Sequence, residues 1–292
     1  MDLGRIGLWT FQLDMQPMSR AREVFAELDE LGYGTVWVPE AVGRDPFTSA
    51  ALLLSAAPRI AFATGIASLH ARTAMTMQAG WKTLTEAFPE RFLLGIGVSH
   101  QPMVEGVHGV AYDKPYSTMV AYLDAMDRGM FFAAPPSTPP RRALAALGPK
   151  MLKLSAERGM GAHPYFVPVE HTALARETLG PDALLAPEVT VVLETDPTKA
   201  RETARRMMAT YLGLPNYTNN LRRLGWGDDD LLNGGSDKLV DAIVGWGTVD
   251  QVVARVQAHF DAGADHVCMQ VLPHDQSALP LTEWRELAAA LC

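Results

Sequence analysis

Short runs of apolar, β-prone residues recur along the whole chain, and nearly every one is followed by a segment with helical periodicity. Strands that are apolar on both faces and are each returned by a helix belong in a parallel sheet covered by helices. "RIGLWTF" (5–11) reads as a strand and "SRAREVFAELDELG" (19–32) as a helix. Ser19 is its expected N-cap, Val24, Leu28 and Leu31 form one stripe, and Gly32 is the stop. "TVWVPE" (35–40) precedes a helix bounded by prolines, "PFTSAALLLSAAP" (46–58). The strand from Ile60 precedes "RTAMTMQAGWKTLTEAF" (72–88), and "RFLLGIGVSH" (91–100) precedes "YSTMVAYLDAMDRGM" (116–130). A proline-rich connection, "FFAAPPSTPP" (131–140), leads to the strand "RALAAL" (142–147) and the helix "PKMLKLSAERG" (149–159). "GAHPYFVP", interrupted by Pro164, is followed by the helix "EHTALARETLG". "PEVTVVLE" (187–194) is followed by a helix capped by Asp196. An irregular section (213–247) separates these from the helix "TVDQVVARVQAHFDAG", the strand "DHVCMQVL" and the helix "PLTEWRELAAAL". Eight such units close into a ring more naturally than they form an open sheet. The expectation is one α/β domain over 1–292, a (β/α)8 TIM barrel with an insertion before the eighth unit.

Composition narrows the partners. The chain is 48% hydrophobic and 20% charged, with mean hydropathy +0.02, as in ordinary globular proteins. The net charge of −8 and the lack of a basic run speak against nucleic acid and anionic membranes. Apolar runs such as "AALLLSAA" fall short of a membrane span, and the N-terminus reads as a strand rather than a signal peptide, so a cytoplasmic location is expected. Cys268 lies in an apolar run and Cys292 is terminal, so neither a disulfide framework nor a zinc site is expected.

Barrels of this kind work at the C-terminal ends of their strands. Those ends contain Trp9, Glu40, Gly65 to Ser68, Gly97 to His100, Ala146 to Lys150, His163 to Tyr165, Glu194 and Leu272 to His274. No metal-ligand spacing, strand lysine or Gly-x-Ser-x-Gly elbow occurs among them, which disfavours metal hydrolysis, aldol chemistry and serine hydrolysis. "GIGVSH" departs from the dinucleotide motif at His100; Gly95 and Gly97 either admit a flat ligand or relieve crowding at the rim. In "LGPKMLKL" (147–154), Gly148 and Pro149 open a helix with Lys150 in its first turn. That pattern suits a phosphate at a helix N-terminus, and it also suits an ordinary βα turn.

Taken together, "RIGLW", "TVWVPE", "FATGIASLHARTAMTMQAG", "ERFLLGIGVSH", "ALAALGPKMLKLSAERGMGA" and "GTVDQVVARVQAHFDAGADHVCMQVL" resemble the bacterial luciferase-like superfamily, in particular its oxidoreductases that use the deazaflavin coenzyme F420. The resemblance covers nearly the whole chain. It implies a non-prolyl cis peptide at Gly65–Ile66, with Ile66 and Ala67 backing the central ring of the cofactor. It implies cofactor contacts from Glu40, from Gly97, Val98 and Ser99, and from the phosphate-holding turn Leu147, Gly148, Pro149 and Lys150. Trp9 becomes an aromatic wall, and His163 and Pro164 line the same cavity.

On this resemblance a hydride passes between the deazaflavin and a small organic substrate, with Glu40, His70 and His100 as candidate proton-handling groups. Arg72 and Lys150 are candidates for holding the phosphate-bearing tail. FMN-dependent monooxygenation is the alternative, and a cofactor-binding protein without turnover is a second. The family expectation is a homodimer. One departure is plain: sugar-phosphate dehydrogenases of the family carry a catalytic histidine directly after the second-strand acid, where this chain has Ala41. Oxidation of a sugar phosphate by that machinery is therefore disfavoured.

Overall fold

The computed structural model describes residues 1–292. Its strands are β1 (Ile6–Trp9), β2 (Thr35–Val38), β3 (Ala61–Thr64), the two-residue β4 (Ala67–Ser68), β5 (Phe92–Gly97), β6 (Arg141–Leu144), β7 (Gly161–Ala162), β8 (Leu184–Leu185), β9 (Glu188–Val192), β10 (Gly245–Trp246) and β11 (Val267–Val271). All pairings are parallel, as the alternation with helices requires. The order runs β10-β9-β11-β1-β2-β3-β5-β6-β7-β8. β8 and β9 are one extended run broken at Ala186-Pro187, where Pro187 has no N–H to give to a ladder. Its first half pairs with β7 and its second half with β11, so the sheet curls back on itself and the strands form a barrel.

Most elements fall where the apolar periodicity puts them. The first helix begins at Met18, ahead of Ser19, with Pro17 at the N-cap and no side-chain cap. Pro17 holds φ at −52° and turns the chain into the helix two residues early, so the expected Ser19 cap is corrected. The second helix runs Pro46–Leu54, with the Asp45 carboxylate accepting from Thr48 N–H at 2.8 Å, and it stops short of Pro58. A six-residue helix, Gln101–Gly106, and the short β10 were not apparent in the sequence. The helix expected after Glu194 runs Pro197–Leu212, and the expected insertion after it holds the helices Pro215–Arg223, Asp228–Leu231 and Asp237–Ile243. Asp196 caps Pro197–Leu212 through the N–H groups of Thr198 and Lys199.

The barrel interior interleaves one very large side chain with small ones. Trp37 is fully buried among Ala61, Ala63, Ala143 and Cys268. The His163 ring stacks on Trp37 at 4.3 Å, and Trp37 Nε1–H donates to His266 Nε2 at 3.1 Å. His266 therefore carries its proton on Nδ1 and donates it to the Gly4 carbonyl at 2.7 Å. This layer closes the barrel below the mouth.

Candidate active site at the barrel mouth

After Thr64 the chain leaves β3 through a cis peptide between Gly65 and Ile66. The bulge is tied on both sides. Gly65 N–H donates to Val38 O at 2.8 Å and Glu40 N–H to Ile66 O at 3.2 Å, while Trp9 Nε1–H donates to Gly65 O at 2.9 Å. On the β5 side, Thr64 Oγ1 donates to Gly95 O at 2.6 Å and Leu69 N–H to Gly97 O at 3.0 Å. A Cβ on Gly95 would lie 1.9 Å from Thr64 O, and one on Gly97 would lie 2.7 Å from Ile66 Cδ1. Between the two explanations of these glycines, the structure gives crowding: they make room for the bulge.

Glu40 and Arg72 fasten the same segment. Glu40 Oε2 accepts from Ser68 N–H at 2.8 Å and from Arg72 Nη1 at 2.9 Å, and Oε1 accepts from Arg72 Nη2. Arg72 also reaches Asp45 at 3.3 Å and lies over the Phe47 ring. The two side chains are only 10% and 12% exposed, and each is neutralised by the other. Arg72 is thereby committed to Glu40 and Asp45 rather than to a phosphate-bearing tail.

The histidines differ in their surroundings. His70 is half-buried beside Tyr112, and its imidazole sits below its usual pKa, first through burial and then through nearby His108. His100 stands at the N-cap of the Gln101–Gly106 helix next to the Tyr217 ring; its Nδ1 is buried with no hydrogen-bond partner, and burial lowers its pKa against an opposing contact from Asn216. Ser99, just before it, adopts φ +58°, and its carbonyl accepts from the Tyr112 hydroxyl at 3.3 Å. His163 lies deeper, 2% exposed, with Nδ1 on Ala186 O at 2.7 Å and its pKa pushed down to about 4 by burial. Pro164 is buried alongside, its carbonyl accepting from Glu188 N–H.

On the β6 side, Gly148 is the N-cap of helix Pro149–Arg158, with Pro149 at its first position. The N–H groups of Gly148 and Lys150 have no acceptor within the chain. The carbonyl of Leu147 is held by buried His171 through Nε2 at 2.9 Å, which fixes the tilt of the 147–148 peptide. Arg223, from the insertion, comes to the same turn: its Nη2 lies 3.5 Å from where a Gly148 Cβ would stand, and it donates to Asn220 Oδ1. Neither His171 nor Arg223 was singled out in the sequence, because they are brought to the turn from separate helices and share no motif with it.

A wall of aromatic rings joins the two sides; Trp9 was expected in it, whereas Tyr211 and Tyr217 were not singled out. Trp9 lies 5.0 Å from Tyr165, Tyr165 4.9 Å from Tyr211, Tyr211 5.3 Å from Tyr217, and Tyr217 5.3 Å from His100. Behind it Glu188 is fully buried, accepting from Thr190 Oγ1 at 2.6 Å and from Phe166 N–H at 3.1 Å. Burial pushes its carboxyl up to about 7.

A parallel barrel with a bulged third strand, an anion-ready helix start and an aromatic wall at one mouth has the architecture of a cofactor-binding barrel enzyme. The chain belongs to the luciferase-like monooxygenase family, whose model matches residues 3–266. A Mycobacterium tuberculosis protein named as a coenzyme F420-dependent oxidoreductase is 30% identical over 57% of this chain, and the match spans 56% of that protein's length, little more than half. The 5,10-methylenetetrahydromethanopterin reductase of Methanolobus tindarius is 24% identical over 93% of this chain and 98% of its own. Among solved structures, an F420-dependent secondary alcohol dehydrogenase in complex with an F420-acetone adduct superposes with a TM-score of 0.78 at 13% identity, covering 99% of this chain and 98% of that one. The last likeness is one of fold.

Proposed function

We propose that this chain is an oxidoreductase that transfers a hydride between the deazaflavin coenzyme F420 and a small organic substrate, both held at the barrel mouth. One observation carries the reading: two backbone N–H groups without acceptors open a helix directly after β6, with the Arg223 cation beside them, on the rim that also carries the Ile66 bulge. A phosphate-bearing tail suits that cradle, since N–H donors and the helix dipole both favour an anion there. Names of relatives favour the deazaflavin: both the mycobacterial protein and the structural neighbour are named for F420.

The bound deazaflavin supplies a two-electron hydride carrier, and the protein supplies position and protons. In this reading Ile66 and Ala67 back the ring, with Trp9 as side wall and Gly97, Val98 and Ser99 along the rim. Leu147, Gly148, Pro149 and Lys150 hold the tail with Arg223. Glu40, paired with Arg72, keeps the bulge in shape, and His163 with Pro164 supports the floor. His100 is the best-suited proton acceptor, a half-buried imidazole with its pKa lowered by burial and its Nδ1 enclosed without a partner; His70 is the reserve candidate.

An FMN-dependent monooxygenase is the second reading, favoured by the description of the family itself. Titrating the purified protein with each cofactor decides between them. Saturable F420 binding, with substrate-dependent change in its absorbance, supports the proposal. Tight FMN binding with oxygen consumption overturns it, and F420 binding with no turnover on any substrate leaves a binding protein. Light scattering of the same sample tests the expected homodimer.

A further inference from the structure

The aromatic wall is drawn from β1, the corner after β7, the helix Pro197–Leu212 and the insertion, and it carries a hydrogen-bond chain. Tyr165 hydroxyl lies 2.7 Å from Gln270 Oε1 and 2.8 Å from Tyr211 hydroxyl. One phenolic proton serves one acceptor, and an amide oxygen only accepts, so Tyr165 donates to Gln270 and Tyr211 donates to Tyr165. The Tyr211 oxygen is then left with its lone pairs available. Turning the Gln270 amide end for end reverses every bond in the chain: Gln270 donates to Tyr165, Tyr165 to Tyr211, and the Tyr211 proton is released outward. Tyr211 thus has two states, an acceptor and a donor.

Charge is withheld from this wall. Glu188 stands behind it with both oxygens engaged by Thr190 and Phe166. Its bond to Phe166 N–H holds that residue at φ +59°, a conformation a phenylalanine rarely adopts unaided, and so fixes the corner from which Tyr165 projects. Glu40 and Arg72 cancel one another on the opposite side. Among the wall's phenols, Tyr165 and Tyr211 are half-buried, whereas Tyr217 and the neighbouring Phe166 are buried. Burial keeps both half-buried phenols protonated, so they act as neutral hydrogen-bonding groups.

Resting on the function proposed above, we infer that the substrate is an uncharged, flat and largely apolar molecule carrying a hydroxyl or carbonyl oxygen, and that the Tyr211–Tyr165–Gln270 chain holds this oxygen in both of its oxidation states. As an alcohol the substrate donates its O–H to Tyr211; as a carbonyl it accepts from Tyr211. Oxidation would pass a hydride from the carbon to the bound deazaflavin and, with the O–H turned from Tyr211 to His100, the hydroxyl proton to that imidazole; reduction would return both. Tyr211 exchanges no net proton; it only changes the direction of its bond.

Calorimetric binding of four probes tests this: acetophenone, 1-phenylethanol, ethylbenzene and benzoate. In the parent protein the two oxygenated neutral probes bind and benzoate binds more weakly than either. Tyr211→Phe weakens both oxygenated probes by roughly three- to tenfold, the worth of one neutral hydrogen bond, and leaves ethylbenzene unchanged. At about pH 9, where even a buried carboxyl is ionised, Gln270→Glu locks the chain with Tyr211 as acceptor, so acetophenone weakens while 1-phenylethanol does not. Preferential benzoate binding, or a Tyr211→Phe variant with unaltered affinities and an unaltered melting temperature, overturns the inference. Cofactor titration of the same samples separates the two claims: F420 bound without any probe refutes this one alone, and probes bound without F420 or FMN refute the cofactor reading alone.

Discussion

Glu188→Gln is the substitution whose effect follows most directly from the structure. The carboxyl is enclosed, and burial raises its pKa from 4.5 to about 7, with Thr190 and Phe166 N–H pulling the other way. A group whose folded pKa is raised binds its proton more tightly in the folded state. Its stabilisation is present below the unfolded value and is lost as pH rises through the folded one. Between about pH 5 and pH 8 that loss is roughly 2.5 kcal/mol, from about 1.36 kcal/mol for each tenfold gain in proton affinity and allowing for the curvature near each pKa. Glutamine has nearly the same shape, and its amide oxygen can take the Phe166 N–H, but it does not titrate. Buried His163 and His266, both pushed down to about 4, destabilise the folded chain as pH falls below the usual imidazole value, and they do so equally in parent and variant. The difference between the two proteins therefore isolates Glu188. Urea unfolding at pH 5, 6, 7 and 8 should show the variant gaining on the parent by roughly 2.5 kcal/mol across that range, mostly below pH 7. A difference that stays flat with pH would mean that Glu188 is ionised or solvated in the fold, and the account of the wall behind Tyr165 would fail with it.

Other substitutions probe the remaining parts of the mouth. Gly95→Ala drives a methyl into the Thr64 carbonyl and should cost about 3 kcal/mol or more in urea unfolding, whereas Gly97→Ala meets side-chain atoms of Ile66 and Ala145 rather than backbone and should cost less, about 1–2 kcal/mol. Arg72→Ala strands the mostly buried Glu40 and should cost about 3 kcal/mol, with Glu40→Gln restoring part of the loss in the double variant; additive costs would refute the pairing. Arg223→Ala should weaken cofactor binding by about tenfold with no change in melting temperature, because the guanidinium is exposed and its contact is with the tail cradle; unchanged affinity refutes that assignment.

What the sequence disclosed and what it hid divide along one physical line. Strand and helix order was legible because apolar periodicity is a local property, and the Gly148–Pro149 helix start because a cap is local too. Ser19 failed as a cap because Pro17, two residues earlier, had already fixed the backbone. Arg72 was misassigned for a different reason: its partner Glu40 lies 32 residues away, and a basic residue beside a strand end offers no sign of which anion will claim it. The same holds, more strongly, for Tyr165, whose partners are 46 and 105 residues distant. On its own helix Tyr211 reads only as one more position on the stripe with Ala204, Met207 and Met208. Glu188 was the one member with a usable signal, a carboxylate at the head of a strand apolar at every other position but Thr190. A charge there needs partners from elsewhere in the fold, so such a residue marks where long-range polar structure must converge. In this barrel that convergence lies behind the aromatic wall, and neither Tyr211 nor Tyr217 stands at a strand end, which is why a reading of strand ends alone stopped short of it.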